Sequence, residues 1–159
     1  MKVVINTTPL ISLAIIDKLS LLDELFVNVY IPMAVFKEVT RKGKKNAIVL
    51  ENWGKGRIVG IKGIQAKSAL ELILDEGESE VVVLAQEVNA DLVIIDEDKA
   101  RKVARLNGLN VTGTIGLLLD AKKNGKISEL RPLLDRLIAN GIYISENLYT
   151  NALLRASEK

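Results

Sequence analysis

No cysteine and no histidine occur among the 159 residues, and these two absences remove most of the usual catalytic repertoire. Without thiols there is no disulfide, no thiolate nucleophile, no finger-type zinc centre and no iron–sulfur cluster. Without imidazole there is no serine–histidine triad, no cysteine–histidine pair and no histidine general acid or base. Catalysis must then rest on carboxylates, lysine, hydroxyls or amides. A metal must be one that accepts hard oxygen ligands, namely magnesium, manganese or calcium. Aromatic residues make up 4% of the chain, too few for an extended base-stacking platform. Charge is nearly balanced, with 22 basic against 20 acidic side chains, so only local clustering can argue for a nucleic-acid partner. No apolar run approaches the roughly 18 residues of a membrane span. The first apolar stretch is broken by Asn6-Thr7-Thr8-Pro9 and Asp17, unlike a signal peptide. The expectation is a soluble, cytoplasmic protein with no membrane partner.

What is present is alternation. The run Val3-Val4-Ile5 reads as a strand, and Thr8 with Pro9 as the cap and first position of a helix carrying Leu10, Leu13 and Ala14. Leu19 to Phe26 suits a short helix and Val27 to Ile31 a second strand, after which Pro32 opens a helix with Val35, Phe36 and Val39. A helix through Leu50 and Trp53 follows, then a short edge strand or loop over Arg57 to Lys62. Ser68 to Leu74 and Glu78 to Val88 read as two helices parted at Gly77. Leu92 to Ile95 is a buried strand, Glu97 to Leu106 a helix, Asn110 to Thr112 a strand and Ile115 to Lys123 a helix. Leu130 to Ile138, an extended Ile142 to Ile144 and a helix capped near Ser145 complete the chain. Strand-then-helix repetition predicts an α/β fold with a parallel sheet. There is no linker and no internal repeat, so residues 1–159 read as one domain.

The phosphate-loop pattern is missing, and Gly54, Gly56 and Gly60 have the wrong spacing for a dinucleotide fingerprint, so they read as turns. The acidic and amide residues are more informative. Open α/β sheets form sites outside the carboxyl ends of their strands. Asn6 ends the first strand, and Asp96, followed by Glu97 and Asp98, ends the strand Leu92 to Ile95. Glu38 lies on the helix after the second strand, and Glu78 and Glu80 lie in the first turns of a later helix. Carboxylates without histidine suit a divalent hard cation that activates water for phosphodiester hydrolysis. Each residue also has an ordinary structural use. Glu78 and Glu80 suit a helix dipole, Asp96 an N-cap, Glu38 a solvated helix face and Asn6 a turn. Arg41, Lys42, Lys44 and Lys45, with Lys99, Arg101, Lys102 and Arg105, form basic runs that suit either a phosphate-holding rim or plain solvated surface.

Five segments in order resemble the signature segments of PIN-domain proteins. They are Val4-Ile5-Asn6-Thr7-Thr8-Pro9-Leu10-Ile11, Val29 to Val39, Asp75-Glu76-Gly77-Glu78-Ser79-Glu80-Val81, Ala90 to Asp98, and Val111-Thr112-Gly113-Thr114. The resemblance covers nearly the whole chain and is nearest to short prokaryotic PIN-like proteins mostly without assigned function, related to VapC-type toxin ribonucleases. It implies a Rossmann-like three-layer α/β/α fold and a Mg²⁺- or Mn²⁺-dependent ribonuclease site. The family's acids fall on Asn6, Glu38, Glu80 and Asp96, with Asp98 as an auxiliary acid. Asn6, Glu80, Asp96 and Asp98 are the implied metal ligands, and Thr112 or Thr114 a further polar group beside them. Thr7, Thr112, Thr114 and the basic residues Arg41, Lys42, Lys44, Lys45, Lys99 and Arg101 are the implied RNA contacts. The resemblance further implies a homodimer and an antitoxin-like protein partner; the apolar helices around Leu10 to Leu22 are a candidate dimer surface, although an amphipathic stretch is more often core.

The departure is Asn6, where an aspartate is usual. An amide oxygen can bind a hard cation but brings no charge, which lowers metal affinity and the acidity of a bound water. This leaves two readings open, an active ribonuclease and a catalytically weak module that binds RNA or protein. Asn6→Asp is expected to raise Mn²⁺ affinity, read by calorimetric titration, and RNA cleavage in step; no change in either would mean that Asn6 is not a ligand position.

Overall fold

The computed structural model describes residues 1–158. Five short strands, β1 (Lys2–Ile5), β2 (Asn28–Pro32), β3 (Ile58–Val59), β4 (Leu92–Ile94) and β5 (Val111–Thr112), form an all-parallel sheet in the order β3-β2-β1-β4-β5. β1 and β4 are apolar without alternation because both their faces are covered; Val3, Val4, Ile5, Val93 and Ile94 are all fully buried. The flanking helices are α1 (Thr7–Ile15), α2 (Ser20–Leu25), α3 (Met33–Val39), α4 (Ala47–Gly54), α5 (Ile64–Leu70), α6 (Glu76–Glu87), α7 (Asp98–Leu106), α8 (Thr114–Lys123), α9 (Arg131–Ala139) and α10 (Glu146–Arg155). Together they make the expected three-layer α/β/α sandwich.

The chain runs from β1 outward to β2 and β3, then returns through α6 to lay β4 and β5 on the other side of β1. The strand order therefore reverses between β1 and β4, and that is where an open sheet leaves a crevice above its carboxyl ends. α6 packs against β1, β2 and β4 and also against α3 and α5. Enclosed this way, it is buried continuously from Ser79 to Ala85, as a helix with neighbours all round must be.

Several boundaries differ from the sequence reading. Asn6, not Thr8, is the N-cap of α1, so Pro9 falls within the first turn, where its missing N–H costs no helical bond. Pro32 ends β2 and caps α3 from an extended conformation instead of opening the helix. The expected helix Ser68 to Leu74 is α5, displaced toward the N-terminus. The cause lies downstream: Asp75 accepts from the Glu78 N–H at 2.7 Å, and Glu78 accepts from the Asp75 N–H at 3.0 Å. This capping box starts α6 at Glu76 and puts Gly77 inside it. Leu72, left in the intervening turn, is 86% exposed. The Ile142 to Ile144 segment pairs with none of the strands described.

Of the two uses open to the Leu10 to Leu22 stretch, core and dimer surface, the structure shows the core. Leu10, Leu13, Ile16, Leu19, Leu21 and Leu22 are buried within this chain's own core, so they present no face to a second copy.

Two polar clamps fasten the periphery. At the β3 edge the Arg57 guanidinium lies 3.9 Å over the Trp53 ring, and Asp23 accepts from both Trp53 Nε1 and Arg57 Nη1, at 3.2 and 2.8 Å. At the other end Glu158 accepts from the Leu130 and Arg131 N–H groups at 2.6 and 3.0 Å and from Lys122 Nζ at 2.7 Å. Burial pushes the Glu158 carboxyl up, but Lys122 and the two N–H donors outweigh it and hold the group down at about 2. Because its folded value lies below the ordinary 4.5, Glu158 stabilises the fold above that pH and loses its contribution as pH falls toward 2. Thermal melts followed by circular dichroism are expected to show Glu158→Gln melting below wild type near neutrality, with the gap closing between about pH 4.5 and 2. A gap independent of pH would show that the charge of Glu158 contributes nothing.

Candidate active site

Strand register builds the site. Ile5 pairs with Ile94 and Ile94 with Thr112, so the next residues along, Asn6, Ile95 and Gly113, leave the sheet side by side. The Asn6 N–H donates to Ile94 O at 3.0 Å and the Ile95 N–H to Thr112 O at 2.9 Å, which carries the ladder to the edge of the crevice. Asp96 then stands at the end of β4, facing the start of α8.

Asp96 is fixed by Thr114. The Thr114 N–H donates to Oδ1 at 2.7 Å and its hydroxyl to Oδ2 at 2.6 Å, so both carboxylate oxygens are oriented from the first residue of α8. The cap use weighed for Asp96 goes to Glu97, which precedes α7 without a side-chain bond. Gly113 permits this approach, since a Cβ there would lie 2.7 Å from Asp96 Oδ1 and 2.6 Å from Arg101 Nη1. Asn6 is buried beside Gly77 and its side chain caps nothing in α1, so its amide is not used by the turn.

On the β2 side of Asn6, Thr7 donates its hydroxyl to Glu38 Oε2 at 2.6 Å, joining α1 to α3 and orienting that carboxylate. Glu78 is spent at a helix start, though through a reciprocal capping box and not through the dipole alone. Its carboxyl is nevertheless pushed up, first by desolvation and then by the nearby charges of Asp75, Glu97 and Glu38, so these acids share one negative field. Asp98 is exposed at the start of α7. Arg41, Lys42, Lys44 and Lys45 are exposed in the turn between α3 and α4, one helical turn past Glu38. Lys99 is exposed and Arg101 half-buried on α7. Thr112, at the end of β5, is half-buried beneath Gly116.

Glu80 stands apart from this group. Its Oε1 accepts from the Ala34 N–H at 2.9 Å and its Oε2 from Lys67 Nζ at 2.7 Å, and Lys67 also reaches Glu76 at 2.7 Å. The carboxylate that sequence reading placed among metal ligands thus has a resident ammonium as its counter-ion.

Compared with known sequences, the chain matches a family model described as a PIN domain over residues 2–158. It belongs to the PIN-domain family. No curated protein and no solved structure matches it. PIN domains have a nuclease-type fold and generally use divalent metals.

Whether this PIN domain suits such an ion can be judged from its donors. Among the described residues no three carboxylates gather closely enough to cage a metal. Magnesium, however, is usually held by one or two carboxylates with water and substrate phosphate completing its shell. The hard oxygens of Asp96 and the uncharged Asn6 amide, carried just past the ends of the neighbouring strands β4 and β1, are donors of that kind.

Lys67 was missed in the sequence because nothing local marks it. It lies 9 residues from Glu76 and 13 from Glu80, and only the packing of α5 on α6 brings them together. The two carboxylates push the Lys67 ammonium well above the ordinary lysine range, so it stays charged wherever the fold is intact. Removing that cation strands a buried carboxylate. Lys67→Met is expected to cost roughly 3 kcal/mol in urea unfolding, with Lys67→Met/Glu80→Gln recovering much of the loss. Equal destabilisation by the single and double variants would show that the ion pair is not what holds α5 to α6.

Proposed function

We propose that the chain is a Mg²⁺- or Mn²⁺-dependent ribonuclease that hydrolyses RNA phosphodiester bonds. The observation that carries this reading is that Asn6 and the Thr114-locked Asp96 leave the neighbouring strands β1 and β4 at the strand-order reversal, with Glu38 oriented by Thr7, the residue after Asn6. With neither imidazole nor thiol anywhere in the chain, oxygen donors at this edge are the groups left to do such chemistry.

Asp96 and Asn6 would hold the ion, joined by Asp98 across the first turn of α7. When bound, the ion supplies Lewis-acid charge and makes a coordinated water more acidic. Thr114 keeps both Asp96 oxygens oriented, so no side-chain reorganisation is needed at the moment of reaction. Glu38 has one oxygen tied to Thr7 and the other available to accept a proton from the attacking water. Arg41, Lys42, Lys44, Lys45, Lys99 and Arg101 supply the positive rim that draws in an RNA backbone. Glu80 contributes as a ligand only in a conformation that releases Lys67. The roles of toxin, homodimer and target of an antitoxin-like protein rest on the resemblance to VapC-type proteins and need a surface other than Leu10 to Leu22.

A second reading, a catalytically weak module that binds RNA or protein, is favoured by one specific pair of features. Asn6 lacks the charge of an aspartate, and Glu80 is already neutralised by Lys67.

Incubation of a mixed RNA pool with the protein in Mn²⁺ separates the two. The ribonuclease is expected to cleave, to stop in EDTA, and to lose at least roughly 10- to 100-fold of its rate in Asp96→Asn, as ligand-shell losses do. Absence of cleavage by folded protein selects the binding module, and undiminished cleavage by Asp96→Asn moves the chemistry away from this edge.

A further inference from the structure

Asparagine stands directly before glycine at residues 107–108, 124–125 and 140–141. All three pairs end helices: Asn107, Asn124 and Asn140 are the C-caps of α7, α8 and α9, and the glycine after each has a positive φ. Such a pair is chemically labile, because glycine puts no side chain in the way when its nitrogen attacks the carboxamide carbon of the asparagine.

The three caps restrain this attack in the same way. Each carboxamide nitrogen donates to the carbonyl four residues earlier, of Val103, Asp120 and Arg136, at 2.8, 2.7 and 2.8 Å. Each glycine N–H donates back into the last turn, to Arg105 O, Lys122 O and Ile138 O at 2.9, 3.0 and 3.1 Å. The residue after the glycine closes the motif, with Leu109, Lys126 and Ile142 donating to Ala104 O, Ala121 O and Leu137 O at 3.1, 2.8 and 3.0 Å. With ψ of 14°, 10° and 17°, it is the asparagine's own nitrogen, and not its Cβ, that eclipses the glycine nitrogen. A five-membered ring through Cβ therefore closes only when the cap opens. Helix ends fray, so the cap that opens most readily reacts first.

That cap belongs to α8. A closure of this kind is commonly sealed by an apolar side chain just after the glycine. Leu109 and Ile142 fill that position after α7 and α9, each half-buried against the core. After α8 the position holds Lys126, and Lys123 through Lys126 are all exposed. Asn107 has a further restraint, since its Oδ1 accepts from Gln86 Nε2 at 3.3 Å. Lys123 and Lys126 also flank the pair, and positive charge favours both the ionised glycine nitrogen that attacks and the carboxylate that results.

We propose that Asn124–Gly125 is a site of spontaneous modification in the folded protein, where the unsealed cap lets asparagine convert to aspartate and isoaspartate ahead of the two matching pairs. Gly125 N gives its proton to solvent and bonds to Asn124 Cγ; the Cγ–Nδ2 bond breaks and ammonia leaves. Water then opens the cyclic imide. Breaking the bond from Gly125 N to Cγ yields aspartate, and breaking the bond to the backbone carbonyl carbon yields isoaspartate, with the chain running through Cγ. The product has no donor for Asp120 O, and its charge opposes the carbonyl end of the helix dipole, so the cap does not re-form as it was. Aged molecules thus carry one added negative charge at the end of α8 remote from Thr114.

The folded protein is held in mildly alkaline buffer made with H₂¹⁸O and mapped peptide by peptide by mass spectrometry. Labelled acid is expected at residue 124 several-fold sooner than at 140, with 107 last. In urea the lead of residue 124 is expected to shrink, because no cap remains to distinguish the pairs. Lys126→Leu, which supplies an apolar seal, is expected to slow residue 124 several-fold and by more than Lys126→Gln does, with residue 140 unchanged. Label appearing first at 107 or 140 overturns the proposal. So does a lead undiminished in urea, or equal slowing by the two Lys126 variants, since either outcome assigns the reactivity to local sequence instead of the cap.

Discussion

A carboxylate on a helix enclosed on every side is the constraint around which this molecule is arranged. α6 is the element that touches β1, β2, β4, α3 and α5, and Glu80 sits within its buried stretch. An unpaired charge there would cost several kcal/mol. The chain meets that cost with the Ala34 N–H at the start of α3 and with Lys67 from α5, so one charge dictates how two helices approach a third. The same arrangement bears on chemistry. α6 supplies the acid and α5 the cation that neutralises it, so a divalent ion at Glu80 would compete with a tethered ammonium.

The strand order divides the crevice into unequal halves. On one side, burial and then the charges of Asp75, Glu97 and Glu38 push the Glu78 carboxyl up. On the β5 side lie the locked Asp96, two guanidinium groups, of Arg101 and Arg155, without a carboxylate partner among the described residues, and an apolar hollow. Asn6 stands between them at the end of β1 and is uncharged, so it separates the two fields. A strand of RNA lying across such a surface would meet positive charge and apolar cover on one flank and oriented negative charge on the other. That asymmetry would give its binding a direction.

The fold was legible because its signals are long and consistent: apolar strands without alternation, amphipathic helices between them, and punctuation by proline and glycine. What went astray did so where a local device overrode the pattern. The Asp75–Glu78 box moved a helix start, and the apolar residues from Leu10 to Leu22 carry the same periodicity whether they face a core or a partner. At the site, the residues at strand ends were legible because topology places strand ends together. Asp96 with Thr114 falls in this class. Lys67 on Glu80 was not legible, because it reaches its place through tertiary packing that no spacing announces. Glu80 shows the limit well, since its sequence neighbours are equally compatible with a ligand and with a buried structural charge.

The clamp of Trp53, Arg57 and Asp23 has an optical consequence. Trp53 is the chain's one tryptophan, and it sits by β3, at the opposite margin of the sheet from β5. Four strand spacings of about 4.8 Å put roughly 19 Å between those margins. Indole emission therefore monitors the α4 edge, with a guanidinium resting on the ring as its built-in modifier, and is nearly blind to events beside Asp96. Tyr143 shares the tyrosine band with Tyr30 and Tyr149, so the tryptophan band alone is selective for one flank. Unfolding of that flank can thus be followed without any label.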